Sequence, residues 1–306
     1  MTIRPDIAII GAGPGGYVAA LRAAQLGAKV VLIEKDKLGG VCLNWGCIPT
    51  KTLLRTAEVL KLAQEATEYG VLVDGVRLDW AAAQKRKDGV VRRLTGGVKF
   101  LLEKAGVQLL PGTARFVSPT ALEVVGANGQ ERVEAKDYVI ATGSRPASLP
   151  VPGLEGPGVL TSDDVLALDK LPESLLVIGA GPIGVEFATL FRACGVQVTL
   201  VELLPRVLPT LDEDLGAEVE RALKKAKVAI YTGSQVSKVE AKNGKYAVTI
   251  QGTKQQTVVE VDKILVAVGR RPNVEGLGLE TLGVQVEKAG IKVDEFMHTN
   301  VPHVYA

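Results

Sequence analysis

Two cysteines, Cys42 and Cys47, lie in the segment GGVCLNWGCIPTK, residues 39–51. In an ideal helix, residues five positions apart have Cα atoms roughly 8–9 Å apart. That distance exceeds the limit of about 7 Å for a disulfide. If the two sulfurs pair, the backbone between them must therefore be distorted. Gly46 would permit this through its conformational freedom, and Pro49 would permit it because it lacks a helical N–H donor.

Three interpretations of the cysteine pair differ in their chemistry. Zinc binding is disfavoured, because neither a second cysteine pair nor a nearby histidine completes four ligands. Two buried, unpaired cysteines remain an alternative. A redox pair is favoured, because helical periodicity follows and the N-terminus of a helix favours the thiolate. Lys51 follows Cys47 by one helical turn, so it either stabilises that thiolate or is a solvated helix lysine.

A repeated pattern surrounds this segment. An apolar strand, residues 6–10, leads into Gly11-Ala12-Gly13-Pro14-Gly15-Gly16, and a helical stretch and a second strand ending at Glu34 follow. The same order recurs from residue 175 through Gly179-Ala180-Gly181-Pro182-Ile183-Gly184 to Glu202, with 23 residues from first glycine to acid in both copies. Such glycines allow a tight turn, close approach of a pyrophosphate and helix packing, and the acid accepts hydrogen bonds from a ribose. The sequence therefore predicts two dinucleotide-binding units.

Each unit continues into a β-rich stretch with a hairpin signal, Asn128-Gly129 in the first copy and Asn243-Gly244 in the second. Each then closes with an apolar strand that runs into glycine, at Gly143 and at Gly269. We expect domains at 1–147 and 148–273, followed by a return segment, 274–306, toward the first domain.

Composition excludes several function classes. The 306 residues carry a net charge of +2, which is too small to predict binding to nucleic acid or to an anionic membrane. Apolar residues make up 47%, yet no apolar run reaches the roughly 18 residues that a membrane span requires. The N-terminal apolar run at residues 7–10 is also too short for a signal peptide, so a cytoplasmic location is expected. Three cysteines do not make a disulfide scaffold. The partners we expect are small molecules or other proteins.

Together these motifs resemble the pyridine nucleotide–disulfide oxidoreductases, and most closely the members that oxidise dihydrolipoamide. The resemblance implies an α/β fold with two Rossmann-like domains that bind FAD and NAD(P), with parallel sheets and small antiparallel β-meanders. It implies that Cys42 exchanges with substrate, that Cys47 lies against the flavin, and that Lys51 and Glu186 form an ion pair beside it. FAD and NAD are the implied cofactors, since Glu202 would repel the 2′-phosphate of NADP and is immediately followed by Leu203 and Leu204, not by an arginine.

The resemblance also implies a set of binding residues for each cofactor. For FAD they are Gly11, Gly13, Gly15, Gly16, Glu34, Lys51, Ala114, Thr142, Gly143 and Ser144. For NAD they are Gly179, Gly181, Ile183, Gly184, Glu202, Val236 and Gly269. No metal site is expected.

The implied reaction is dihydrolipoamide plus NAD+ to lipoamide plus NADH through a Cys42–Cys47 disulfide. It serves 2-oxo acid dehydrogenase complexes and cell redox homeostasis, with a lipoyl domain as partner and a homodimer as assembly. Other disulfide reductases and mercuric ion reductases are alternatives in the same class, although the extra cysteines expected for mercuric reduction are absent. A nucleotide-binding fragment without turnover is an alternative of another class.

The chain departs from the family pattern after Ala306, where the family continues into Ile-Gly-Asp and a C-terminal interface domain with a catalytic His-Glu pair. We therefore expect the N-terminal two thirds of an enzyme, inactive or nearly so by itself. His298 and His303 are expected to be structural or exposed, and Cys194 to be a small core residue. A basic cluster is expected to be a solvated helix face; it comprises Lys85, Arg86, Lys87, Arg92 and Arg93.

Overall fold

The computed structural model describes residues 2–127, 129–253 and 255–306. By packing, the chain forms two compact units. Unit 1 comprises residues 1–48, 90–145 and 271–306, and unit 2 comprises residues 49–89 and 146–270. The segment 49–89, which the sequence places with the first nucleotide unit, packs in unit 2. The predicted domain boundaries stay predictions.

The chain forms eight α-helices in its described residues. They are α1 Pro14–Gln25, α2 Gly40–Trp45, α3 Cys47–Gln64, α4 Trp80–Lys104, α5 Ser162–Val165, α6 Pro182–Ala193, α7 Glu213–Lys225 and α8 Leu279–Leu282, and a 3-10 turn spans Ala66–Tyr69. Among the described residues, no helix combines the length and the apolar character that crossing a bilayer requires.

Unit 1 contains two sheets. A parallel sheet has the order β21 (Val304–Tyr305), β8 (Asp137–Ile140), β2 (Ile7–Ile10), β3 (Val30–Glu34) and β4 (Gln108–Pro111). A second sheet has the order β1 (Thr2–Ile3), β7 (Gly129–Val133), β6 (Ala121–Gly126) and β5 (Thr113–Ser118), and is antiparallel apart from the β1–β7 pair.

Unit 2 repeats this plan. Its parallel sheet has the order β10 (Val159–Leu160), β17 (Lys263–Val266), β11 (Ser174–Ile178), β12 (Gln197–Val201) and β13 (Ala229–Tyr231). Its antiparallel meander consists of β14 (Gln235–Lys242), β15 (Lys245–Gln251) and β16 (Gln256–Val261). The predicted α/β fold with two Rossmann-like units and small meanders is thus confirmed.

Two short ribbons complete the described strands. Strand β9 (Ser144–Pro146) pairs with β18 (Arg270–Pro272), and β19 (Val286–Glu287) pairs with β20 (Gly290–Ile291).

The turn signals have separate outcomes. Asn243 and Gly244 connect β14 to β15 with φ angles of 52° and 80°, as a two-residue hairpin with positive φ at both positions requires. In the first copy, Gly126 pairs with Gly129 across β6 and β7. Asn128 lies outside the described residues.

Both faces of each parallel sheet are covered by apolar side chains, as expected for crossover connections. In unit 1, Ile9 and Leu32 pack with one core cluster, and Ile10 and Ile33 pack with another. In unit 2, Leu175 and Leu200 pack against Phe191 and against Leu53 of α3. These buried strands end at the glycine-rich turns and acids, so they fix where those groups lie.

Candidate functional site

The first glycine-rich turn, after β2, is held by close backbone contacts. Gly11 has φ +101°, and its N–H donates to Ile33 O at 2.8 Å. A Cβ on Gly16 would lie 1.7 Å from Gly11 O. Only glycine fits at either position, because the first requires positive φ and the second requires the helix to approach the turn.

The second turn, after β11, has the same geometry. Gly179 has φ +102°, its N–H donates to Val201 O at 2.8 Å, and a Cβ on Gly184 would lie 1.9 Å from Gly179 O. Gly13 and Gly181 are the N-caps of α1 and α6 and have ordinary φ of −71°. Each helix therefore begins without a side-chain cap, and its first N–H groups point beyond the turn, where an anion can bind.

The acids at the ends of β3 and just after β12 are held alike. Glu34 accepts hydrogen bonds from Ala12 N at 2.7 Å and from Asp36 N at 2.9 Å. Glu202, which is buried, accepts from Ala180 N at 2.7 Å and from Leu204 N at 2.8 Å. Each carboxylate thus ties the glycine-rich turn to the next strand end. A carboxylate has about four acceptor sites, so both can still accept from a ribose hydroxyl.

A cavity of about 130 Å³ in unit 1 adjoins the first turn. Its lining residues are Ile10, Gly11, Ile33, Glu34, Lys35, Gly112, Thr113, Ala114, Thr142, Asn273, Glu275, Gly276 and Leu277. The structure therefore brings together four of the residues predicted for FAD, namely Gly11, Glu34, Ala114 and Thr142.

A larger cavity of about 630 Å³ in unit 2 adjoins the second turn. It is lined by Leu149, Pro150, Val151, Ile178, Gly179, Gly181, Pro182, Ile183, Val201, Glu202, Leu203, Leu204, Pro209, Ser234, Gln235, Val236, Ala267, Val268 and Gly269. Of the residues predicted for NAD, only Gly184 is not in this lining, and it packs α6 against the turn instead.

The remaining predicted FAD residues have other positions. Gly13, Gly15, Gly16, Lys51, Gly143 and Ser144 are not in the lining of the unit 1 cavity. Gly13 lies against the start of α2, since a Cβ on Gly40 would come within 2.6 Å of Gly13 Cα. Their contacts to a cofactor stay predictions.

The two cysteines lie on either side of a helix break. Cys42 is in α2, and Cys47 begins α3. Gly46 between them has φ −138° and ψ −112°, so the chain is not helical there. The distortion that pairing of the sulfurs would require is thus present. Cys42 is half-buried and Cys47 is exposed, and the disulfide itself stays a prediction.

Lys51 and Glu186 form the ion pair that the resemblance implied. Lys51 Nζ donates to Glu186 Oε1 at 2.5 Å, between α3 and α6 within unit 2. Their side chains are 59% and 33% exposed. Water therefore reaches both charged groups, and each could remain ionised without the other.

Cys194, His298 and His303 line neither of the two cavities. Cys194 is half-buried against the unit 2 core, as expected, and burial raises the pKa of its thiol to about 11. His298 and His303 are exposed, also as expected, and each ring lies beside an aspartate, at 3.0 Å from Asp294 and 3.2 Å from Asp137. In the described part of the chain, no cluster of three or more metal-ligating side chains forms.

One expectation about the basic cluster in α4 is wrong. Lys87 is buried, and its ammonium donates to Leu166 O at 2.9 Å. Leu166 is the C-cap of α5, so Lys87 satisfies a carbonyl at a helix end. The other four cluster residues are exposed as expected.

Several residues that line the two cavities were not among the predicted site residues. In unit 1 these include Asn273 and Glu275, and in unit 2 Ser234 and Leu149. The signal that could have found Asn273 is the Arg-Pro-Asn run at residues 271–273, shortly after the closing Gly269 of the second unit.

Paired Rossmann-like units with a broken cysteine helix define a nucleotide-dependent redox protein of the dithiol–disulfide class. The chain belongs to the pyridine nucleotide-disulphide oxidoreductase family, which it matches over residues 5–306. FAD and NAD are the cofactors of this family and of the dihydrolipoyl dehydrogenases within it.

Two of its relatives in this family are dihydrolipoyl dehydrogenases. The chain is 44% identical to a dihydrolipoyl dehydrogenase of Acholeplasma laidlawii over 98% of this chain and 88% of that one. It is 43% identical to a dihydrolipoyl dehydrogenase of Bacillus subtilis over 98% of this chain and 66% of that one. A solved structure, the Cu(II) complex of an HOCl-induced flavoprotein disulfide reductase from Escherichia coli, is similar with TM-score 0.85 and 30% identity, covering 99% of this chain and 65% of that one. The chain thus spans about two thirds of the length of the Bacillus and Escherichia proteins.

Proposed function

We propose that this chain carries the FAD, NAD and disulfide sites of an enzyme that oxidises dihydrolipoamide with NAD+. The observation that carries the proposal is the helix break at Gly46 between Cys42 and Cys47, in a chain with two matching dinucleotide units. The likeness to dihydrolipoyl dehydrogenases supports this substrate over other disulfides. FAD would be held by a domain of residues 1–147 and NAD by residues 148–273, with 274–306 returning to the FAD domain.

The residues present fit both cofactors. At each turn, the first helical N–H groups of α1 or α6 are available to a phosphate, and an acid lies at the neighbouring strand end. A Cβ on Gly181 would meet nothing within 4 Å, so the backbone there is open to close approach by a pyrophosphate. Glu202, followed by Leu203 and Leu204, favours NAD over NADP, because no lysine or arginine is among the described residues that line the unit 2 cavity.

The reaction begins with thiol–disulfide exchange at Cys42. A substrate thiolate attacks the Cys42 sulfur, a mixed disulfide forms and Cys47 leaves as a thiolate. The second substrate thiol then displaces Cys42, so the substrate departs as a cyclic disulfide. The pair now holds the two substrate electrons. FAD, which Gly11, Glu34, Ala114 and Thr142 would help to hold, would supply the two-electron transfer from the reduced cysteines to NAD+. Overall, dithiol plus NAD+ balances disulfide, NADH and one proton.

The protein supplies positioning and charge. Cys47 begins α3, at the positive end of the helix dipole, and Lys51 lies one helical turn further along. The Lys51–Glu186 contact holds the lysine ammonium in place. The lipoyl group on a protein domain of a 2-oxo acid dehydrogenase complex is the proposed substrate. A homodimer, a cytoplasmic location and a role in cell redox homeostasis complete the proposal.

The test is the absorption spectrum and turnover of the protein after addition of FAD. We expect bound flavin, and after mild reduction the long-wavelength absorption of a thiolate beside oxidised flavin, which Cys47→Ser removes and Cys194→Ser leaves. In a version extended to the length of the Bacillus subtilis relative, dihydrolipoamide should reduce NAD+ to NADH, and should reduce NADP+ to NADPH far more slowly. Residues 1–306 alone are expected to turn over little.

Equal turnover with NADP+ would contradict the NAD assignment. A colourless protein that binds neither nucleotide would contradict the flavoprotein assignment. Faster turnover with another disulfide than with lipoamide would favour the general disulfide reductase that the Escherichia coli relative exemplifies.

A further inference from the structure

Residues 272–278 begin at the end of β18 and are here called the strap. Within unit 1, the strap extends from residues 142–145, which follow β8, to β5. Asn273 anchors the first end with all four of its polar groups. Its backbone N–H donates to Gly143 O at 2.9 Å, and its side-chain amide donates to Thr142 O at 3.0 Å. Its carbonyl accepts from Thr142 Oγ1 at 2.7 Å, and its Oδ1 accepts from Arg145 Nη1 at 3.0 Å.

Arg145 extends this anchor along the strap. Its guanidinium donates to both oxygens of Glu275, at 2.8 Å and 2.9 Å, and also to Pro272 O at 3.2 Å. One planar fork therefore binds three strap residues, which a lysine ammonium cannot reproduce.

The far end of the strap is fixed on β5. Leu277 O accepts from Phe116 N at 2.8 Å. Gly278 has φ +75°, and a Cβ there would lie 2.4 Å from Phe116 O, so glycine is required for this close approach. Strand β5 also carries Ala114, and Asn273, Glu275, Gly276 and Leu277 line the same cavity as Ala114 and Glu34.

We propose that Arg145, Asn273 and Glu275 are positioning residues that hold the strap as a wall of the unit 1 cavity and so set how tightly FAD is retained. This inference rests on the proposed function, which assigns FAD to residues 1–147, and it takes the cavity lined by Gly11, Glu34, Ala114 and Thr142 as part of the FAD site. None of the three residues is assigned a role in the reaction itself.

The exposure of the Arg145–Glu275 ion pair predicts that its loss weakens FAD binding more than it lowers the free energy of unfolding. The Arg145 and Glu275 side chains are 46% and 67% exposed, and ion pairs this exposed contribute little to stability. The hydrogen bond from Arg145 lowers the pKa of Glu275 to about 2, so its carboxylate stays ionised at neutral pH. Without Arg145, an uncompensated negative charge would line a cavity that must accept a cofactor with two negative phosphates.

The test compares FAD affinity among Arg145→Met, Arg145→Lys and Arg4→Met by flavin fluorescence titration of the cofactor-free chain. Arg4 is a matched control, because it forms an exposed ion pair with Glu134 in unit 1 and does not line the cavity. We expect Arg145→Met to weaken FAD binding roughly tenfold. Arg145→Lys should lie between it and the wild type, and Arg4→Met should match the wild type. Without cofactor, Arg145→Met and Arg4→Met should both unfold at nearly the same denaturant concentration as the wild type.

Equal FAD affinity in Arg145→Met and Arg4→Met would overturn the inference. If the wild-type chain takes up no FAD, the FAD assignment under the proposed function fails. Hydrogen exchange of the cofactor-free chain then tests whether Arg145 holds the strap in position. Faster exchange at the amides of Asn273 and Phe116 in Arg145→Met than in Arg4→Met supports it. Equal exchange overturns it.

Discussion

Burial separates the chemistry of Cys194 from that of Cys47. The raised pKa of Cys194, about 11, leaves roughly 0.1% thiolate at pH 8. Cys47 is exposed and begins a helix. After reduction, we expect iodoacetamide at pH 8 to modify Cys47 roughly 100-fold faster than Cys194. Because the thiol form is favoured by burial, the Cys194 rate should rise as pH approaches 11.

Peptide mass spectrometry over a time course measures both rates, and the urea-unfolded chain supplies the control. There, Cys194 loses its burial and should react like an ordinary thiol. Rapid modification of Cys194 in the folded chain at pH 8 would contradict the prediction.

The Lys51–Glu186 pair predicts opposite effects from its two partners. Lys51→Met removes a positive charge one helical turn from Cys47 and should slow alkylation of Cys47 about threefold. Glu186→Gln releases that ammonium from its counter-ion at 2.5 Å and should accelerate alkylation by a similar factor. Since the pair is exposed, each change should alter the free energy of unfolding by less than about 1 kcal/mol.

Lys61→Met is the matched control, because Lys61 pairs with Glu65 near the other end of α3 at 3.8 Å. It should leave the Cys47 rate unchanged. If both partner variants slow alkylation, the pair acts through the position of α3 and not through charge.

At the scale of elements, the glycines of one turn have separable roles. A Cβ at Gly184 would overlap Gly179 O at 1.9 Å, whereas a Cβ at Gly181 meets nothing within 4 Å and its φ is ordinary. Gly184→Ala should therefore destabilise the protein by about 1–3 kcal/mol. Gly181→Ala should cost under about 1 kcal/mol as an N-cap change, yet weaken NADH binding at least about tenfold, because the methyl occupies the approach of the pyrophosphate.

Urea unfolding and NADH titration of the two variants measure these effects. Wild-type affinity for NADH in Gly181→Ala would show that the pyrophosphate does not approach this turn. Unchanged stability in Gly184→Ala would show that the close contact with the turn relaxes without strain.

Sequence alone predicts these elements well, because their signals are local. Gly11 and Gly179 require positive φ, and Gly16 and Gly184 require contact with the turn, so fixed spacing marks both copies. Lys87 shows where such reasoning fails. Nothing near it in the chain distinguishes it from Arg86, and its partner Leu166 is 79 residues away. The same holds for Arg145 and Glu275, whose contact spans 130 residues.

For the molecule as a whole, the two packing units predict two separate responses to ligands. A ligand at 100 times its Kd stabilises the folded state that binds it by about 2.7 kcal/mol. FAD should therefore slow hydrogen exchange in the core of unit 1, for example at Leu32, and NADH in the core of unit 2, for example at Leu200. At the same NADH concentration, Gly181→Ala should reduce the NADH response to about half or less and keep the FAD response.

Segment 49–89 distinguishes the two ways of dividing the chain, because packing places it in unit 2 and the sequence places it in the domain 1–147. Leu53 of α3 and Ala83 of α4 pack in the same apolar cluster as Leu175 and Phe191 of unit 2. If packing defines the cooperative unit, the amides of Leu53 and Ala83 gain protection with NADH, together with Phe191. If the sequence-based division at residue 147 defines it, they gain protection with FAD, together with Leu32. Exchange measured by mass spectrometry on overlapping peptides separates the two outcomes, and protection of Leu53 by FAD alone would contradict the packing division.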